Sequence, residues 1–86
     1  MRQFDFNITS EIGMHARPAA GVAREAERYK SKISITHDDI TLNGKSIIGL
    51  VALKARFGDD LTITIDGPDE DEAEKGMRKA LEENLG

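Results

Sequence analysis

The spacing of hydrophobic residues switches between two and three-or-four along this chain, and each switch marks an element. Phe4, Phe6 and Ile8 alternate with Asp5 and Asn7, the pattern of a strand with one dry and one wet face. Residues 10–14 read as a loop, and from Ala16 onward Ala19, Val22, Ala23, Ala26 and Tyr29 recur at helical spacing. Ile33 and Ile35, then Ile40 and Leu42, alternate with polar residues on either side of His37-Asp38-Asp39, which predicts a hairpin. Asn43-Gly44 ends it. Ser46 then stands as N-cap to a short helix whose stripe Ile47, Leu50, Val51 and Lys54 is expected to face the core. Leu61, Ile63 and Ile65 alternate as a fourth strand, and Gly67-Pro68 turns the chain. Asp69 with Glu72 predicts a capping box, followed by a helix whose stripe is Ala73, Met77, Ala80 and Leu81.

The order is therefore βαββαβα. Every strand has one apolar and one polar face, so helices are wanted on one side only. The expected fold is an α+β open-faced sandwich: a four-stranded antiparallel sheet with three helices on one face and water on the other. No linker, repeat or low-complexity segment interrupts it, and residues 1–86 are expected to form one domain.

Composition narrows the chemistry. The chain has 86 residues and no Cys, which removes disulfides, thiolate metal sites and thiol nucleophiles together. Residues 1–46 hold seven Lys and Arg against six Asp and Glu, and residues 47–86 hold five against ten. The halves thus carry +1 and −5, and the chain −4. That balance argues against a nucleic-acid binder working through a broad basic face. No apolar run is long enough to span a membrane, and the N-terminus lacks the charged and apolar regions of a signal peptide, so a cytoplasmic protein without membrane insertion is expected.

Gly13-Met14-His15-Ala16-Arg17-Pro18 lies where the first loop meets the first helix. There the orphan amides of the first turn and the positive end of the helix dipole favour an anion. Neutral imidazole is a competent nucleophile near neutral pH, and a phosphoryl group on His15 would sit where helix N-termini bind phosphate. Arg17 could present forked donors to the same oxygens. The spacing alone does not overturn the plainer reading, His15 as a polar helix cap with an exposed Arg17 nearby. Ser46 is an ordinary N-cap whose phosphorylation would add about −1.5 to −2 charges at a helix start. His37, beside the hairpin turn, has no evident partner and reads as a structural surface residue; two histidines without ligand spacing make no metal site. Ile48 points away from its helix's expected core stripe.

These two motifs, Gly13 to Ala20 and Lys45-Ser46-Ile47-Ile48-Gly49, in a βαββαβα chain of this length, resemble the HPr family. Its members are the histidine-containing phosphocarriers of the bacterial phosphoenolpyruvate-dependent sugar phosphotransferase system. The resemblance spans the whole chain. It implies that His15 accepts a phosphoryl group on Nδ1 from Enzyme I and passes it to sugar-specific IIA components, assisted by Arg17. It implies a stoichiometric carrier rather than an enzyme, acting as a monomer without cofactor or metal. Ser46 matches a serine phosphorylated by an HPr kinase/phosphorylase, whose product binds a catabolite-repression transcription factor. Ala20, Arg24, Ile47, Ile48 and Val51 match the partner-docking patch, with Ile48 in place of the family's frequent Met or Phe. The nitrogen branch of the family and a non-catalytic regulatory adaptor are the alternative roles.

Overall fold

The computed structural model describes all 86 residues. Seven elements follow in the expected order: β1 (Arg2–Asn7), α1 (Ala16–Ala26), β2 (Lys32–His37), β3 (Ile40–Asn43), α2 (Ile47–Ala52), β4 (Asp60–Asp66) and α3 (Glu70–Leu85). The strands form one antiparallel sheet in the order β1-β4-β2-β3. The period-two pattern fixes its register. Phe4 pairs with Ile63, Ile63 with Ile35 and Ile35 with Leu42, so one apolar row crosses the dry face from edge to edge. The adjacent row, Asp5, Thr62, Thr36 and Thr41, faces water, and its ends are tied by hydrogen bonds from Thr62 to Asp5 (2.9 Å) and between Thr36 and Thr41 (2.7 Å).

The three helices cover the dry face. α1 supplies Ala19, Val22, Ala23 and Ala26, and α3 supplies Ala73, Met77, Leu81 and Leu85, all in one buried cluster with the inner strand residues. Alanine on α1 lets that helix lie close to α3. At the far edge of the sheet Phe4 takes the guanidinium of Arg78 over its ring, 4.1 Å from the centroid.

Three local expectations are corrected. α1 stops at Ala26, and Tyr29 lies beyond it. Its hydroxyl bonds Glu25 at 2.6 Å, so the ring follows α1 in space without extending it. In α2 only Leu50 is buried; Ile47 and Val51 face outward beside Ile48, and Lys54 lies past the helix in a left-handed conformation (φ 54°). Six residues give less than two turns, and Leu50 with the following Leu53 already supplies the core contact, leaving the rest of the apolar stripe in water.

The third correction concerns Asp69. It is the N-cap residue of α3 but makes no side-chain cap bond, and no Asp69–Glu72 capping box forms. Its carboxylate instead accepts the N–H of Lys30 (2.8 Å), the N–H of Ser31 (3.0 Å) and the Ser31 hydroxyl (2.5 Å). Ser31 is the only buried polar side chain, and its need for partners overrides the local cap. Glu70 takes over the reach-back, accepting from the Gly67 N–H (3.3 Å) and the N-terminal ammonium (2.9 Å).

The Ser31 hydroxyl, followed by the Lys30 and Ser31 amides, holds the Asp69 carboxyl below its usual range. As pH falls, the unfolded chain takes up this proton first, so the stabilisation is present above the ordinary carboxylate range and is lost as pH drops through the folded value. Asp69→Asn is therefore expected to lower the urea midpoint at neutral pH, with the gap to the unaltered protein closing under acid. A gap that persists unchanged under acid would contradict this role.

Candidate functional site

α1 begins at Ala16 because His15 leaves the helix: its backbone is extended (φ −137°, ψ −170°), while its carbonyl already accepts the Ala19 N–H at 2.9 Å. No side chain caps this end. The N–H groups of Ala16 and Arg17 have no acceptor one turn back, and Pro18 has none to satisfy. The imidazole of His15 is half-buried and makes no cap bond, so it stands beside two open donors at the positive end of an eleven-residue helix.

His15 and Arg17 line one shallow depression with Ser10, Ile12, Pro18, Glu83 and Asn84. Arg2, Arg28 and Arg78 are all paired with carboxylates, whereas Arg17, Arg24 and Arg56 have none within ion-pair distance. Two of the three free guanidiniums thus lie on the helix that His15 opens. Lys45, by contrast, spends its ammonium on the Tyr29 carbonyl (2.7 Å). No cluster of three or more ligand residues is placed to hold a metal ion.

The loop ahead of His15 is pinned from below. Met14 is buried and its N–H donates to the Ala55 carbonyl (2.9 Å). Gly13 has φ +76°, and a Cβ there would come 2.9 Å from the Ala55 oxygen and 3.0 Å from the Arg56 Cα. Both are backbone atoms, so glycine is required twice over. The end of α3 closes the same loop, with the Leu85 carbonyl accepting the N–H groups of Thr9 (2.9 Å) and Ser10 (3.0 Å).

The other expected residues are distributed along α1 and the adjoining α2. Ala20 is half-buried and Arg24 exposed on α1; Ile47, Val51 and especially Ile48, 84% exposed, form an apolar surface on α2. Ser46 is the N-cap of α2 as expected, its hydroxyl oxygen accepting the Gly49 N–H at 3.0 Å. Neither the segment 53–59 nor Ile12, 75% exposed in the His15 depression, is marked by spacing or motif. A loop residue's neighbours are set by tertiary packing, which leaves no periodic signal.

His37 is also corrected. It ends β2 with its ring contacting the Leu53 carbonyl (Nδ1, 2.9 Å) and Asp59 Oδ2 (Nε2, 2.9 Å), so the hairpin end is fastened to the segment that supports the His15 loop. Both partners lie sixteen or more residues away, beyond any local pattern.

Residues 2–83 match the family model described as the PTS HPr component phosphorylation site. The chain belongs to the HPr family. The phosphocarrier protein HPr of Mycoplasma genitalium is 40% identical over 85 residues, covering 98% of this chain and 97% of the relative. A solved mycoplasma histidine-containing phosphocarrier protein superposes with a TM-score of 0.93 at 34% identity, over 98% of this chain and 97% of that one. Crh, a Bacillus subtilis catabolite repression protein solved as a domain-swapped dimer, superposes with a TM-score of 0.76 at 32% identity, over 100% and 99% of the two chains. The four-stranded sheet with three helices is the HPr fold, and membership carries the general role of a phosphocarrier in the phosphotransferase system. No helix is long and apolar enough to cross a membrane.

Gly13→Ala combines a disfavoured φ with a backbone collision. It is expected to reduce unfolding free energy by about 1–3 kcal/mol in urea titrations. An unchanged midpoint would mean that the loop does not pack against Ala55 and Arg56 as described.

Proposed function

We propose that this HPr-family chain accepts a phosphoryl group on His15 from phosphorylated Enzyme I and delivers it to sugar-specific IIA components. The observation that carries this reading is the His15 imidazole, unbonded, at the open end of α1 and sharing a depression with the unpaired Arg17. The neutral ring nitrogen Nδ1 attacks phosphorus as the bond to the donor group of Enzyme I breaks. The proton already on Nε2 stays, leaving a phosphorylated imidazolium, and the reverse exchange onto a IIA component restores the neutral ring. Because the nucleophile is the ring's own lone pair, no base is required.

What the chain supplies is charge and position. The Ala16 and Arg17 amides and the dipole of α1 favour the phosphoryl oxygens, and the Arg17 guanidinium supplies further donors. The depression is shallow, so the partner completes the site. The exposed Ile47, Ile48 and Val51, with Ala20 and the free Arg24, support the reading of α1 and α2 as the docking surface, apolar with two free guanidiniums on α1. In this role the chain is a stoichiometric carrier, a single domain acting as a monomer in the cytoplasm. The likeness to Crh favours a second reading, a regulatory adaptor that transfers nothing, against which the open geometry of His15 weighs.

Incubation with phosphoenolpyruvate and Enzyme I should add one acid-labile phosphate, read by intact mass. His15→Ala should add none, and Arg17→Ala should slow transfer on the order of 100-fold, the scale of losing one donor to a developing anion. Equal labelling of His15→Ala would overturn the assignment.

We also infer that Ser46 is a regulatory phosphorylation site for an HPr kinase/phosphorylase, the product being read by a catabolite-repression transcription factor. The Ser46 hydroxyl is half-buried and engaged as a cap, and Asp is itself a good cap. Ser46→Asp should therefore fold normally while placing negative charge beside Ile47 and Ile48. Transfer from Enzyme I should slow through a raised KM with kcat nearly preserved. Unaltered kinetics in a folded Ser46→Asp protein would count against regulation by charge at this position.

A further inference from the structure

Both ring nitrogens of His37 face acceptors. Nδ1 lies 2.9 Å from the Leu53 carbonyl oxygen and Nε2 lies 2.9 Å from Asp59 Oδ2, with the side chain 12% exposed. A ring N–H donated to either oxygen ties the end of β2 to the segment after α2. Leu53 is the C-cap of α2, so its carbonyl is one that no later turn of that helix can satisfy.

Charged groups gather at the Nε2 end of the ring. Asp59 is held as a carboxylate below its usual range, first by the Arg56 N–H (3.0 Å) and then by His37 itself. From the hairpin turn Asp38 approaches Nε2 at 3.8 Å, adding a second negative charge; Asp39 is exposed beyond it. On β3 the cross-strand neighbour is the uncharged Ile40. The Arg56 guanidinium acts on Asp59, and Lys54, next to Leu53, is exposed.

The clamp has a mechanical consequence. Leu53 and Asp59 bracket the segment whose Ala55 carbonyl receives the Met14 N–H and whose Arg56 backbone abuts Gly13, directly ahead of His15. We infer that His37 is a positioning residue: its ring, set between the Leu53 carbonyl and Asp59, fixes segment 53–59 and through it the loop that sets His15 at the start of α1.

The functional half of this inference rests on His15 as the phosphoryl acceptor, whereas the support itself is measured without any transfer. In His37→Phe the Met14 amide, bonded to Ala55, should exchange with solvent several-fold faster than in the unaltered protein by NMR while amides within α3 keep their rates, and phosphorylation by Enzyme I should be a few-fold slower in kcat with KM unchanged. Should His37→Phe not fold, His37→Gln, which keeps one donor, carries the same comparison. Unchanged Met14 exchange overturns the inference, and faster exchange with unaltered transfer overturns the positioning role. Loss of labelling in His15→Ala alongside unchanged Met14 exchange would leave the carrier reading intact and remove this one.

Discussion

A sheet with one dry face forces every helix in this chain onto the same side, and the rest of the molecule follows from that constraint. The apolar row Phe4, Ile63, Ile35 and Leu42 needs cover along its whole width, yet the chain has only three helices to give. α1 and α3 do most of the covering and pack on each other as well as on the sheet. α2 is short, buries little beyond Leu50 and is left with apolar residues in water. The connections that return from sheet to helix layer must then meet at the ends of the strands. There the Gly13–Met14 loop, the 53–59 segment and the end of α3 are tied by main-chain bonds, and His15 stands on top of them.

That arrangement explains how charge is allotted. The acidic residues crowd the start of α3, where Glu70, Asp71 and Glu72 complement the dipole and the N-terminal ammonium and Arg2 reach across to Glu70, Asp71 and Glu74. Those ion pairs are exposed and contribute little to stability. They do, however, occupy the cations on that side, while Arg17 and Arg24 remain free on α1. A net charge of −4 therefore coexists with two unpaired guanidiniums on the helix that His15 opens.

The strands and the outer helices are legible in the sequence because one-sided burial writes a period of two or of 3.6 directly into residue order. The start of α1 at His15 and the Ser46 cap are legible too, since they rest on contacts within four residues. The failures share one cause. The periodicity of Ile47, Leu50 and Val51 correctly marks a helix, but a stripe buried in a core and a stripe awaiting a partner look the same in sequence. Asp69 carries the residue type of a cap, and only the buried Ser31 on another element shows that its carboxylate is already engaged. The hydrogen-bond partners of the His37 ring lie sixteen and twenty-two residues away, where no local pattern reaches.

A shallow site is itself a mechanistic statement. Phosphoryl exchange requires alignment and charge compensation more than covalent assistance, and alignment between two proteins is a property of their joint surface. A deep pocket around His15 would admit one partner geometry. An imidazole at an open helix end, with a flat apolar patch beside it, admits several, because apolar contact is non-directional and the few free guanidiniums adapt to differently placed acids. Tight burial of that patch against any single partner would slow release and stall a relay that must bind and leave in turn. The exposure of Ile47, Ile48 and Val51, a liability if stability alone were at stake, is what a carrier between several partners requires.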